Sequence, residues 1–183
     1  QYDVYELPID NDRPADAPRR LTWHETNEYP SSVSPDGEQF LFYGWRDGTT
    51  DLFLGRRDGT GTPIRMTDTL FVDEYEATFS PDGTHIAFGV YANSVAFFRP
   101  EYEGPDDAEI YLARLDEGQL HDPQRLTDNN THDVSPIWLW PLPEDLREEG
   151  PQAEDDLLAW LSFGGEDADH RWQSIANPRE QDS

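Results

Sequence analysis

Between Phe40 and Trp45 the chain has no polar face: Phe40 and Phe42 fall on one side of an alternating pattern, and Leu41, Tyr43 and Trp45 on the other. A strand with two apolar faces is covered on both sides, as it is when sheets stack. His85-Ile86-Ala87-Phe88-Gly89-Val90-Tyr91 and Glu109-Ile110-Tyr111-Leu112-Ala113 read as further strands of the same kind. No long stripe of period 3.6 occurs, and Pro stands at 15 positions, so the pattern predicts strands and turns, not helices.

The strands come in repeats. Ser34-Pro35-Asp36-Gly37 returns 46 positions later as Ser80-Pro81-Asp82-Gly83, and a third, eroded copy is read at Ser135-Pro136, 55 further on. Out of phase with these, Arg20-Leu21-Thr22 returns as Arg65-Met66-Thr67 and Arg125-Leu126-Thr127. Two motifs in a fixed mutual order define a unit of about 45 residues, the length of one four-stranded propeller blade. Pro pre-sets φ, Asp accepts backbone hydrogen bonds and Gly supplies a positive φ, so the Ser-Pro-Asp-Gly box predicts a hairpin. Arg46-Asp47-Gly48, Arg57-Asp58-Gly59 and Asp116-Glu117-Gly118 predict others.

The fold class expected is all-β: a partial β-propeller of four-stranded antiparallel blades, either an open arc or an arc completed by a partner. An incomplete unit spans 3–22 and full units span 28–67 and 75–127, the second carrying an insertion at 92–108. A degenerate unit spans 134–163 with an acidic, Pro-rich insertion at 141–156, and 164–183 reads as a polar tail. The end pieces are complementary, outer strands at the N-terminal side and inner strands at the C-terminal side. Bare sheet edges invite pairing with another chain.

The Ser-Pro-Asp-Gly box with its following strand, then a strand such as Glu109–Ala113, then Arg-Leu-Thr, resembles the TolB-type β-propeller repeat over about residues 3–140. The resemblance implies a blade, in a ring usually of six. It also points to the contexts in which such repeats occur: periplasmic TolB, which binds other envelope proteins, and the propellers that gate prolyl-oligopeptidase-type and tricorn-type peptidases. It implies activity only weakly, since one fold hosts many functions.

Composition narrows the partners. Six Trp, nine Phe and eight Tyr in 183 residues are enough for a real core, and a domain of this size buries roughly 70 % of its unfolded surface. Thirteen cations, all Arg, stand against 39 acids, a net charge of −26. That field repels nucleic acid and anionic lipid and favours solubility, basic partners or divalent cations; the bland reading is a solvated surface suited to a salty or extracellular medium. Zero Cys excludes disulfides and thiolate metal sites. No apolar run approaches the ~20 residues of a membrane span. No signal peptide is visible, and Gln1 suits equally a mature end left by cleavage and a chain that begins upstream.

No Gly-x-Ser-x-Gly elbow, phosphate loop or dinucleotide fingerprint occurs, and His24, His85, His121, His132 and His170 lack metal-ligand spacing. No catalytic, cofactor or metal residue is therefore named. Asp10-Asn11-Asp12 and Asp128-Asn129-Asn130 could offer oxygens to Ca²⁺ but match no complete loop, and read as turn caps. The candidate binding residues lie on the segments after each Arg-Leu-Thr, which join blades on one face: Trp23, His24, Phe71, Asp73, His132 and Asp133. The bland alternative is that Trp23, Phe71 and Tyr75 pack between blades. Phe97, Phe98 and Tyr102 in the 92–108 insertion either fold down as a local cap or, the preferred reading, stand out as an anchor for another protein. Of Trp138 and Trp140 one points inward on a strand and the other is free, and that segment reads as core.

The function expected is a non-enzymatic interaction module, periplasmic or extracellular, acting as an accessory subunit of an envelope or membrane-anchored assembly. Its partners would be other protein subunits or a second copy of itself. The rivals are a gating or substrate-binding propeller segment of a hydrolase, and a carbohydrate- or Ca²⁺-binding propeller.

Overall fold

A computed structural model describes residues 1–92, 107–139 and 157–163. The segments 93–106, with Phe97, Phe98 and Tyr102, 140–156, with Trp140, and the tail 164–183 lie outside the described residues. Among the described residues the secondary structure is strand and turn. The first strands are β1 (Tyr5–Glu6), β2 (Ile9–Asp10), β3 (Arg13–Pro14) and β4 (Arg19–Arg20), where β1 pairs with β4 and β2–β3 is a hairpin between them. A four-stranded antiparallel sheet follows, in the order β5 (Glu28–Val33), β6 (Gln39–Arg46), β7 (Thr49–Arg56), β8 (Ile64–Arg65). A second has the order β9 (Val72–Phe79), β10 (His85–Ala92), β11 (Glu109–Asp116), β12 (Gln119–Arg125). The last pair is β13 (His132–Leu139) with β14 (Leu157–Phe163).

The two Ser-Pro-Asp-Gly boxes fold identically. In each, Gly donates to the Ser carbonyl (2.8 Å at Gly37, 2.9 Å at Gly83), and the Ser hydroxyl contacts the Asp carboxylate (2.6 and 2.7 Å). The glycines take φ of +74° and +73°, a region that an L side chain resists. The hydroxyl of Ser34 bonding Asp36 holds that carboxyl below the usual range, with help from the Glu38 amide.

Three apolar layers alternate with the sheets. Val4 and Leu21 of the first strand pair meet Phe40, Phe42 and Phe53. The opposite face of the same sheet turns Leu41, Leu52 and Leu54 against Ala77, Phe79, Ile86 and Phe88 of the next. Ala87, Ile110 and Leu112 then meet Leu158 and Trp160, with Trp138 packed alongside. Both faces of β6 are therefore buried as its pattern demands, except at its end, where Trp45 is exposed.

Ser135-Pro136 is not a third box. Asp133, opposite Ser162, occupies the place of Glu28, opposite Gly44, and of Glu74, opposite Val90. On that register Ser135 matches Glu76, and both take positive φ (56° and 53°) where the ladder is bulged. Without Asp-Gly behind it the dipeptide cannot close a hairpin. Ser135 instead donates through its amide (2.8 Å) and hydroxyl (2.9 Å) to the Glu76 carboxylate, linking β13 to β9.

Candidate functional site

The first three units are closed by the same polar clasp. Arg20 donates to Asp3 (2.7 Å), Arg65 to Asp51 (2.7 Å) and Arg125 to Glu109 (2.6 Å). Two residues past each Arg, the Thr hydroxyl accepts the amide of the residue after the acid: Val4 to Thr22 (3.0 Å), Leu52 to Thr67 (3.0 Å), Ile110 to Thr127 (2.9 Å). The Arg-Leu-Thr motif is thus structural, with Leu21, Met66 and Leu126 turned towards the apolar layers. The acids that complete it were legible as Asp3-Val4, Asp51-Leu52 and Glu109-Ile110, a recurrence obscured by hairpins of unequal length.

A second set of buried acids opens the inner strands: Glu28, Glu74 and Asp133. Asp133 accepts from Asn129 Nδ2 (2.7 Å), while its amide donates to the Ala108 carbonyl (2.7 Å). Burial pushes the Glu74 carboxyl up to about 8, outweighing hydrogen bonds from Thr69 and Thr67, and the neighbouring Asp51 adds to the rise. Burial also raises Asp51, against the opposing effect of Arg65. One oxygen on each of Glu28 and Glu74 has no hydrogen-bond partner.

Glu28 matters most, because it lines a cleft. The cleft, about 350 Å³, runs between the 21–24 segment after β4 and the β7–β8 connection and is lined by Trp23, His24, Arg46, Phe53, Thr60 and Pro63 among others. Arg46 spans one wall: it donates to Glu28 Oε1 and to the Thr26 hydroxyl (2.6 Å), and its guanidinium lies 4.7 Å from the Phe53 ring centroid. Trp23 is exposed at the rim with the Arg20 guanidinium over its ring, so it does not pack between blades. His24 Nδ1 accepts the Thr26 amide (3.2 Å).

The chain is a partial β-propeller. Its structure matches that of a protein assigned as TolB from Agrobacterium tumefaciens with a TM-score of 0.58 and 21 % identity, over 92 % of this chain and 52 % of that one. It also matches a puromycin-hydrolysing peptidase from Mycobacterium tuberculosis with a TM-score of 0.51 and 15 % identity, over 87 % of this chain and 25 % of that one. The chain thus spans about half of the first structure and a quarter of the second. No family model and no curated protein matches the sequence. At these identities the likeness is one of fold: antiparallel four-stranded blades in an arc that stays open, not a closed ring.

The arc divides the predicted binding residues. Trp23 and His24 share the cleft rim. Asp73, half-buried, accepts the Thr50 amide (2.6 Å), fastening β9 to the start of β7, and Asp133 is buried under its loop, so both carboxylates are engaged by the fold. Phe71 is half-buried with φ of 71°. The His132 ring lies tilted against Tyr91, centroids 5.7 Å apart, and His132 accepts the Ala108 amide (3.2 Å). Of the two Ca²⁺ candidates, Asn11 and Asp12 form the β2–β3 turn with positive φ, and Asp128 pairs with Arg125 (2.9 Å). Sequence reasoning missed Glu28, Trp45 and Leu70. Trp45 and Leu70 lie at the same end of the sheets as Trp23 and are as exposed. The only sequence signal for Glu28 was its place six residues before Ser34, repeated by Glu74 before Ser80.

Proposed function

We propose that this propeller segment is a non-enzymatic protein-interaction module of the periplasm or the extracellular space. In this reading it is an accessory subunit of an envelope or membrane-anchored assembly, and its cleft takes a basic, partly aromatic segment of another protein. One observation carries the reading: the buried Glu28 Oε2 lacks a hydrogen-bond partner and stands in the wall of a cleft rimmed by exposed Trp23. An arriving guanidinium or ammonium would satisfy that oxygen, while its stem packs on Trp23. The net charge of −26 attracts such segments and repels acidic ones. Trp45 and Leu70 supply apolar surface at the same end, and Trp is a residue type that anchors interfaces.

An array of synthetic peptides graded in Arg and aromatic content tests this. Basic-aromatic peptides should bind, with affinity about tenfold weaker for Trp23→Ala and for Glu28→Gln, a loss of about 1.4 kcal/mol. Equal binding by the wild type and both folded variants would refute the reading.

The rival is that the segment gates or binds substrate for a hydrolase, favoured by the likeness to a quarter of a peptidase. A catalytic domain encoded in the same gene, together with substrate turnover by the full product, decides for the rival.

A further inference from the structure

The two ends of the arc are halves of one sheet. In each full sheet the third strand carries the clasp acid, so Asp3, clasped by Arg20, marks β1 as a third strand and β4 as a fourth. Asp133 marks β13 as a first strand and β14 as a second. Among the described residues, β14 pairs only with β13, and β1 only with β4. The missing pairing at both ends is therefore the same one, second strand to third.

The register of that pairing can be read from the full sheets. Gly44 lies opposite both Glu28 and Asp51, and Val90 opposite both Glu74 and Glu109. Ser162 lies opposite Asp133, which assigns Asp3 to its other side. The next pairs are then Leu161 with Val4 and Trp160 with Tyr5. In the full sheets this last place holds Phe42 opposite Phe53, rings stacked at 5.2 Å, and Phe88 opposite Tyr111, at 6.0 Å. The two ends thus supply the aromatic pair that both complete sheets contain.

Exposure singles out the same residues. Tyr5 is 55 % exposed, whereas Phe53 at its place in the next unit is 6 %. Val33 is 53 % exposed and its counterpart Phe79 is 6 %. Leu161 is 51 % exposed, although Tyr43 at its place packs against a core. A hollow of about 350 Å³ lined by Val4, Tyr5, Leu21, Val33 and Phe40 lies where the first and second strands of the initial sheet are missing.

We propose that a second copy of this chain fills that hollow. β14 of each copy pairs with β1 of the other, Asp3 facing Ser162, and two arcs related by a two-fold axis close a ring of six four-stranded sheets. Two identical junctions satisfy both bare edges at once, which ends the assembly at two chains. Closure also brings two chains of charge −26 together, so it strengthens as salt screens them. The proposal rests on the sheet edges and is independent of the Glu28 cleft.

The full chain is tested by native mass and by cross-linking. Light scattering on the eluting protein should give twice the mass of one chain, with dissociation on dilution reduced as salt rises from about 0.05 M to about 1 M. The chain has no Cys, so an Asp3→Cys chain mixed with a Ser162→Cys chain can join only across the junction. That mixture should form the disulfide, whereas Asp3→Cys with Leu161→Cys, one residue out of register and on the opposite face, should not. Tyr5→Asp, a change at an exposed side chain, should leave single folded chains. A single-chain mass at every salt concentration overturns the proposal. So does a pair without the in-register disulfide, a pair indifferent to Tyr5→Asp, or a particle larger than two chains.

Discussion

Glu74→Gln should remove a pH dependence built into the junction between the two full sheets. The carboxyl is buried and close to Asp51, and it titrates at about 8 against an ordinary 4.5. Between those values the unfolded chain has released a proton that the folded chain still holds, so stability falls as pH rises. At about 1.4 kcal/mol per pKa unit, the loss is about 3 kcal/mol at pH 7 and about 5 kcal/mol above pH 8. Below pH 4.5 both states are protonated and the effect vanishes. Glu6, held low by Arg19 and Arg57, contributes in the opposite sense, as stability present above its unfolded value and lost in acid, so it does not overlap this window. Asp51, also raised by burial, is present in both proteins, so its titration is common to them apart from its coupling to Glu74. The assay is urea unfolding followed by Trp fluorescence at pH 5, 6, 7 and 8. Wild type should lose stability across the series, and Glu74→Gln should lose about 3 kcal/mol less by pH 7. Parallel curves for the two proteins would show that Glu74 ionises normally and sink the reasoning.

Gly55→Ala should cost about 1–3 kcal/mol in chemical denaturation, because a Cβ there would stand 2.5 Å from the buried Phe40 ring. Phe42→Ala should cost about 3–5 kcal/mol by the same measurement, since it empties the layer between Val4, Leu21 and Phe53. Arg125→Met should cost about 3 kcal/mol near neutral pH, as it strips the clasp from Glu109, whose side chain is wholly buried. Urea unfolding at pH 7 checks that loss, and an unchanged midpoint would refute the structural role of the clasp.

Local chemistry was enough for the strands and turns. Ser-Pro-Asp-Gly carries its own hydroxyl, carboxylate and glycine, and needs no distant residue to form its hairpin; both copies fold alike. The two apolar faces of Phe40–Tyr43 announced stacked sheets, because no strand leaves both sides greasy in water. Where local chemistry was thin, the reading slipped: Ser135-Pro136 lacks the Asp-Gly that closes a turn, and sits instead at a bulge held by Glu76. The binding residues were harder still. Asp73 and Asp133 look like any surface acid until partners distant in sequence, Thr50 and Ala108, claim the Asp73 carboxylate and the Asp133 amide. Trp45 continues an apolar alternation yet emerges into solvent at the end of β6. Glu28 became a candidate only once the 21–24 segment and the β7–β8 connection formed a cleft around it and left one of its oxygens unsatisfied. Turn and strand preferences act over a few residues and are written in order along the chain, whereas burial, exposure and an unmet hydrogen bond depend on which distant segments the stacked sheets bring together.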